Sequence, residues 1–509
     1  MSFTINSFRS LIGLVHRCLT TILAAMGYYT RRPTKPDLPF GSLSFVIVGA
    51  GIAGLTAALA LKKQGHHVVV GYQDPSPVTA LASSLAKEAL QVLEKSKFAT
   101  EQGAALALSP NCSILLNWLD LRPESFGSDL IHHIVRHDQD GNLLFHSDLS
   151  NRRKSWIAEW YSVQRHSIHN ALKERALLEE IVLHTACKIS KIDVHEGRIT
   201  LGDGRRFHGD VLLGADGVHS MTREQVCPEA KPKPSGFSAF RWLTPIEKVA
   251  AALGDKGPVD VLQSPGAMLQ WDDTSRRLLA YPCANNTIYN MLAYVPSSAV
   301  GVIEEGSWNS DGNKDNLVQA FSKFSPEVQQ LVGEADDSLR VFALSDIEPL
   351  PTWVNGRTAL LGDAAHILQP YVGQGASMAI EDALSIATMF PLGTRPDDVN
   401  TRLRLYENAR MSRTNMVRDW ALKNSPGSLP LASEGSWWFS SAVTKLTTWR
   451  VLAQTAMFMQ QTFGHNEIDH SNKILQQALA RRPSLDVDIG RRKSSIWSFV
   501  LGEGQTVKA

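Results

Sequence analysis

The sequence predicts an α/β protein with an inserted, mainly β second domain and a helical C-terminal region. Three observations carry that prediction. First, Phe45-Val46-Ile47-Val48, a short β-branched run of the kind that forms a buried parallel strand, ends at Gly49-Ala50-Gly51-Ile52-Ala53-Gly54, and residues 55–64 then have helical composition. Second, two later segments repeat the form of a strand running into an acidic turn. They are Val211-Leu212-Leu213 into Gly214-Ala215-Asp216-Gly217, and Thr358-Ala359-Leu360-Leu361 into Gly362-Asp363. Third, residues 236–350 between those turns are strand-rich and carry no glycine fingerprint, as expected of a separate domain.

The 509 residues allow roughly three domain-sized units. With 43% hydrophobic and 20% charged residues, the chain has the composition of a globular protein with a sizeable core. Lys+Arg total 51 and Asp+Glu 50, a net charge of +1. That balance argues against a nucleic-acid binder, which needs a basic stripe, and against an acidic disordered chain. The cysteines Cys18, Cys112, Cys187, Cys227 and Cys283 form no CxxC, so neither a zinc cage nor a disulfide framework is expected, and a reducing, cytoplasmic compartment fits. No metal site is read from the sequence.

In chain order, residues 1–41 form an N-terminal extension. No segment reaches the roughly 20 apolar residues that span a bilayer; the nearest is 18–30, between Arg17 and Arg31. The first 36 residues hold no acid but carry Arg9, Arg17, Arg31, Arg32 and Lys35. This composition fits an organellar transit peptide, an interfacial membrane anchor or a plain extension, and all three stay open. Residues 42–235 form the first part of the nucleotide-binding domain, 236–350 the inserted domain and 351–425 the second nucleotide-binding part. Residues 426–509 form a helical region and tail. Within the tail, the apolar stretch 437–463 sets Phe439, Val443 and Leu446 at helical spacing, which reads as protein packing rather than lipid contact.

The glycine turn has a specific physical reading. Gly49 permits the tight turn, Gly51 lets the backbone approach a pyrophosphate, and Gly54 lets the helix pack close to the sheet. The helix N-terminus adds free N–H groups and a positive dipole end for the phosphates. Dinucleotide binding follows, although the turn alone does not separate FAD from NAD.

The acidic turns separate them. Over roughly residues 42–425 the chain resembles the class A flavoprotein monooxygenases, the FAD-dependent aromatic hydroxylases, and most closely their salicylate hydroxylase-like fungal members. The resemblance rests on the glycine turn, Gly103-Ala104-Ala105, Ser109-Pro110-Asn111, Gly214-Ala215-Asp216-Gly217, Gly362-Asp363-Ala364-Ala365-His366, Pro370, Gly373-Gln374-Gly375 and Glu381-Asp382-Ala383. It implies a Rossmann-like FAD-binding domain with an inserted substrate domain. It also assigns Gly49, Gly51, Ala53, Gly54, Ala105, Arg165, Asp216, Gly217, Asp363, Gly373, Gly375 and Ala376 to the cofactor. Asp363 would accept hydrogen bonds from the ribityl chain, Asp216 would serve the meeting point of FAD and pyridine nucleotide, and Arg165 would contact FAD. The helix opening at Gly373-Gln374-Gly375 would turn its dipole to the N1–C2=O edge of the flavin. The Pro370 carbonyl would lie near the flavin C4a. His366 reads equally as a site residue or a structural histidine.

One fingerprint position breaks the pattern. An acidic residue that binds ribose is expected about 20 residues past the glycines, yet Tyr72 stands there. Glu94, ending Gln91-Val92-Leu93-Glu94, restores the pattern if residues 69–90 are surplus. They are a retained intron read in frame, or a genuine loop that still delivers Glu94; otherwise Tyr72 replaces the carboxylate.

On the substrate side, Arg241 in Phe237-Ser238-Ala239-Phe240-Arg241-Trp242 matches a position where an arginine positions a phenolate, which suits its permanent charge. Trp271, Tyr281 and Asn290 would line the pocket wall, and Arg241, Tyr281 and Pro370 are the candidate catalytic residues. The implied chemistry is reduction of FAD by NADPH or NADH, addition of O2 at the flavin C4a, and transfer of hydroxyl from that hydroperoxide to a small aromatic substrate in secondary metabolism or aromatic catabolism. Epoxidation or decarboxylative hydroxylation on the same fold, and an inactive flavoprotein caused by residues 69–90, are the alternatives. Nothing in the sequence sets the oligomeric state.

Overall fold

The computed structural model describes residues 41–66, 91–94, 105–149, 156–254, 259–301, 310–426 and 453–481. The N-terminal stretch, residues 69–90 with Tyr72, and Phe439, Val443 and Leu446 lie outside them.

The central sheet has six strands in the order Val354–Asn355, Thr358–Leu360, Val211–Gly214, Phe45–Val48, Gln91–Leu93, Leu183–His184. All neighbours run parallel except the first pair, which is a hairpin. Phe45, Val46 and Ile47 are inaccessible to solvent because the sheet is covered on both faces, which is why this strand is uniformly apolar. The register aligns Val48 with Gly214 and with Leu93, and Gly214 with Leu360. All three predicted turns and Glu94 therefore leave the sheet along one edge, the edge where such sheets bind ligands. Helix Ile52–Lys63 packs on helix Gly375–Met389, and both are buried along most of their length.

The second sheet has eight strands in the order Ser310–Asp311, Arg340–Asp346, Lys233–Pro245, Ile288–Pro296, Arg277–Cys283, Ala267–Asp272, His133–Asp138, Leu143–Asp148. The inserted sheet is thus not confined to 236–350: two of its strands come from within 42–235, joined by a parallel pairing of His133–Asp138 with Ala267–Asp272. One face carries Phe240, Trp242, Leu278, Met291 and Val341, buried beneath helices Ile246–Leu253, Lys314–Ala320 and Pro326–Gly333. Residues directly opposite in the ladder share a face. The register Arg241↔Leu292↔Leu279 and Ala239↔Tyr294↔Arg277 therefore puts Arg241, Tyr281, Asn290 and Tyr294 together on the other face.

The C-terminal region is helical, with Val399–Lys423, residues 453–463 and Glu467–Ala480. Two of its aromatic residues pack on protein: Phe458 stacks on Trp420 and Phe463 lies edge-on to Trp156 and Trp160. Among the described residues no helix is long and apolar enough to cross a membrane.

A buried ionic network ties these helices to the nucleotide-binding half. Arg410, fully buried, reaches Glu381 (2.7 Å), Asp382 (2.8 Å) and Glu467 (2.6 Å). Arg413 grips both oxygens of Glu381 at 2.7 Å. Asp382 also accepts the Gly362 N–H (2.9 Å) and pairs with His366 Nε2 (2.6 Å), which makes His366 a structural histidine.

Candidate active site

The glycine turn is built as its spacing implies. A side chain on Gly49, at φ +102°, would meet the Ala215 carbonyl oxygen at 2.2 Å, and one on Gly54 would meet the Gly49 carbonyl oxygen at 1.9 Å. A side chain on Gly51 would meet nothing within 4 Å. The helix that follows has neither a side-chain cap nor an acid in its first turn. An uncapped helix N-terminus beside an open cradle is what a pyrophosphate requires.

Glu94 lies at the same turn and accepts the Ala50 N–H at 2.8 Å. Gln91–Leu93 pairs with Phe45–Val48, and Glu94 directly follows that strand. His169, which sequence reasoning missed, brings Nε2 to the Ala50 carbonyl at 2.9 Å. Ala53 lies in the first turn of the helix, and its methyl faces Gly362 across the two turns.

Asp363 opens onto the groove and is ringed by protein, which raises its carboxyl above the usual range; His366, Arg165 and Arg223 oppose that shift. Arg165 is exposed at the first turn of helix Arg165–Leu178. The Asp216 carboxylate accepts Ser220 Oγ (2.5 Å), the Thr222 N–H (3.0 Å) and Thr222 Oγ1 (3.1 Å), and so ties its turn to the start of helix Met221–Val226, whose N-cap is Ser220. Gly217, next to Asp216, is open, with nothing within 4 Å of a would-be side chain.

The second helix start is held by side chains. Gln374 donates to Ser109 Oγ (2.8 Å), while Asn111 donates to Glu381 (2.7 Å). Gly373 adopts φ +63° and its N–H bonds the Pro370 carbonyl (3.1 Å), so that carbonyl closes a short 3-10 turn, Pro370–Val372. Helix Gly375–Met389 carries no side-chain cap, Gly375 has open space about it, and Ala376 follows in the first turn. This end of the helix is free to meet negative charge.

The inserted sheet closes the site. Tyr281 donates to the Ala105 carbonyl (2.8 Å), and the Ala105 N–H donates to Asn290 Oδ1 (3.2 Å). Burial pushes the Tyr281 phenol well above its ordinary range. Through its bond to Ala105, Tyr281 clasps the sheet to strand Ala105–Leu108. Trp271 is corrected: it lies on the opposite face, stacked on His137 in the core. Arg241 is half-buried, its guanidinium 6.0 Å from the Phe342 ring centre, on the face with Phe237, Leu279 and Leu292. Tyr371, next to Pro370, lies edge-on to Tyr294 at 5.2 Å. Among the described residues the one group with metal-ligand spacing is Glu381, His465 and Glu467, already neutralised by Arg410 and Arg413.

Fold and site together define a dinucleotide-binding α/β protein: the glycine cradle, Glu94 and Asp363 lie along one sheet edge, and an aromatic face abuts the second uncapped helix. Comparison with known proteins then identifies the family. The chain belongs to the FAD-dependent monooxygenases, matching the family described as "FAD binding domain" over residues 43–421. It is 30% identical over 392 residues to hispidin-3-hydroxylase of Neonothopanus nambi, covering 74% of this chain and 87% of that protein. With 3-hydroxybenzoate 6-hydroxylase 1 of Aquipseudomonas alcaligenes the identity is 28% over 384 residues, covering 74% and 87%. The fold matches a salicylate hydroxylase–substrate complex with a TM-score of 0.65 at 20% identity, over 85% of this chain and 98% of that one.

Gly51→Ala tests the cradle. The backbone there, at φ −74° and ψ −172°, suits any residue, and nothing crowds the new methyl. The variant should fold normally yet bind FAD at least about tenfold more weakly, a change of about 1.4 kcal/mol. Flavin titration beside circular dichroism reads both, and unchanged affinity would remove the cradle from the cofactor site.

Proposed function

We propose that the protein hydroxylates an aromatic, phenolic small molecule, with NADH or NADPH as electron donor and O2 as oxygen source, in secondary metabolism or aromatic catabolism. The observation that carries this reading is the meeting of two surfaces. The sheet face bearing Arg241, Leu279, Leu292 and Phe342 abuts the Pro370–Gly375 segment that opens the uncapped helix. The names of the two hydroxylases above, which denote oxygenation of aromatic compounds, support it.

Bound FAD supplies the activation of O2 and the oxygen transfer. The protein's own residues do the rest. Glu94 and the glycine turn would hold the nucleotide half, and Asp363 would accept hydrogen bonds from its polyol chain. The start of helix Gly375–Met389 stabilises negative charge on the ring system through a preorganised dipole. Arg241 attracts the substrate phenolate and favours its ionised form, while Leu279, Leu292 and Phe342 exclude water. Tyr281 and Asn290 fix Ala105 so that sheet and cofactor groove keep their spacing. The described cysteines are buried and unpaired, in keeping with a reducing compartment.

The test is an absorbance spectrum of the full 509-residue protein beside a chain lacking residues 69–90, followed by NAD(P)H consumption with phenols. Paired near-ultraviolet and blue flavin bands in the full chain, with phenol-dependent NAD(P)H oxidation yielding hydroxylated product, are expected. Flavin in the shorter chain alone would make residues 69–90 a disabling insertion. Colourless protein in both would overturn the reading.

A further inference from the structure

Both peptide groups that flank Ala50 in the glycine turn are pinned by side chains from outside it. Glu94 accepts the Ala50 N–H at 2.8 Å, and His169 Nε2 lies 2.9 Å from the Ala50 carbonyl oxygen. A carbonyl oxygen only accepts, so Nε2 carries a proton and donates it. Ala50 is buried and His169 half-buried. His169 stands on helix Arg165–Leu178, which packs on helix Ile52–Lys63. Residues four apart share a helix face. One face of this helix therefore carries both Arg165, which the family resemblance assigns to the cofactor, and the histidine that grips the cradle.

The consequence falls on the next group along the chain. Among the described residues no peptide bond is cis, and in a planar trans peptide the C=O and the following N–H point in opposite directions. Holding the Ala50 carbonyl on His169 therefore turns the Gly51 N–H away from His169. That N–H has no acceptor among the described residues. The space about Gly51 is open, since a side chain there would meet nothing within 4 Å. Water could satisfy the Ala50 carbonyl in place of the imidazole, because His169 is half-buried. Water would not fix the plane of the peptide. The ring adds direction.

We propose that His169 is a positioning residue for the FAD pyrophosphate: its Nε2–H holds the Ala50–Gly51 peptide so that the Gly51 N–H is presented to a phosphate oxygen. Glu94 steadies the preceding peptide in the same way. A donor fixed before binding loses little freedom when the ligand arrives, and affinity gains by that amount. The inference concerns the nucleotide half of the site and holds whichever aromatic substrate the enzyme takes.

The test compares the unmodified protein with His169→Ala and His169→Gln. Titration of each apoprotein with FAD, followed by flavin fluorescence, gives the affinity. Phosphorus NMR of the bound cofactor reports the pyrophosphate surroundings, and the melt of the apoprotein reports folding. His169→Ala admits water to the Ala50 carbonyl, so its apoprotein should melt as the unmodified one does. It should bind FAD about tenfold more weakly, the loss of about one preorganised hydrogen bond, with at least one pyrophosphate resonance displaced. His169→Gln restores an N–H donor of similar reach, and should recover most of the affinity and return the resonance toward its original position. Unaltered affinity and resonances in His169→Ala would overturn the inference, and so would equal weakening by the two substitutions. Weaker binding accompanied by an earlier apoprotein melt in both variants would overturn it as well, by assigning His169 to the fold alone.

Discussion

Arg410→Leu should melt the protein far earlier and strip it of flavin. The substitution leaves Glu381, Asp382 and Glu467 buried with only Arg413, His366 and His465 beside them. Breaking a buried pair by removing one partner costs about 3–5 kcal/mol, against a net domain stability of roughly 5–15 kcal/mol. The loss also reaches the site, since Asp382 holds the Gly362 N–H at the turn that presents Asp363. A thermal melt followed by flavin fluorescence reads both effects. Adding Glu467→Gln to Arg410→Leu should recover part of the loss by removing one stranded charge; further destabilisation would contradict the electrostatic account.

The same network sets an acid limit. Burial alone would raise Glu381, but Arg413 and Arg410 hold it below the usual carboxylate range; His366 and Arg410 do the same for Asp382. Groups whose folded pKa is depressed contribute stability that is fully present above their unfolded values and lost as pH falls through the folded ones. Flavin retention should therefore be flat near neutrality and decline only below about pH 4, the ordinary carboxylate range. In Arg410→Leu the decline should begin at higher pH.

Gly54→Ala should yield colourless, poorly folded protein. The new methyl would stand 1.9 Å from the Gly49 carbonyl oxygen, and Gly49 itself lies so close to Ala215 that an added β-carbon there would meet the Ala215 carbonyl oxygen at 2.2 Å. Overpacking costs about 1–3 kcal/mol when side chains can yield; here the obstacle is backbone on both sides. Set beside Gly51→Ala, which adds the same methyl three residues earlier, the pair separates steric locking of the turn from space kept for the cofactor. Equal folding of the two variants, by circular dichroism and solubility, would refute the distinction.

The turn glycines were legible because their chemistry is local: strand, turn and helix are contiguous, and each glycine has its own steric reason. Glu94 was legible from spacing, although 22 intervening positions displace it. The faces of the inserted sheet were harder. Alternation separates Trp271 from the site residues, yet which face meets the cofactor depends on strand partners elsewhere in the chain, including His133–Asp138. Arg410 and Arg413 were missed because they sit in a helix, Val399–Lys423, whose many charged residues read as a solvated surface. Their role appears only when helix Glu467–Ala480 is laid against it. Asp216 and Tyr281 show a related limit, since a residue type suited to a cofactor or substrate is equally suited to tying a turn to a helix start or clasping a backbone.

The alignment of Val48, Gly214 and Leu360 at one sheet edge also bears on the order in which the molecule can be made. The strand that opens the cradle is among the first described residues to leave the ribosome, whereas Thr358–Leu360 and helix Gly375–Met389 emerge some three hundred residues later. The apolar strand Phe45–Val48 must wait through synthesis of the whole inserted sheet before its edge is complete. Cofactor capture is therefore a late event in biogenesis, and the nascent chain passes most of its translation with an unfinished parallel sheet.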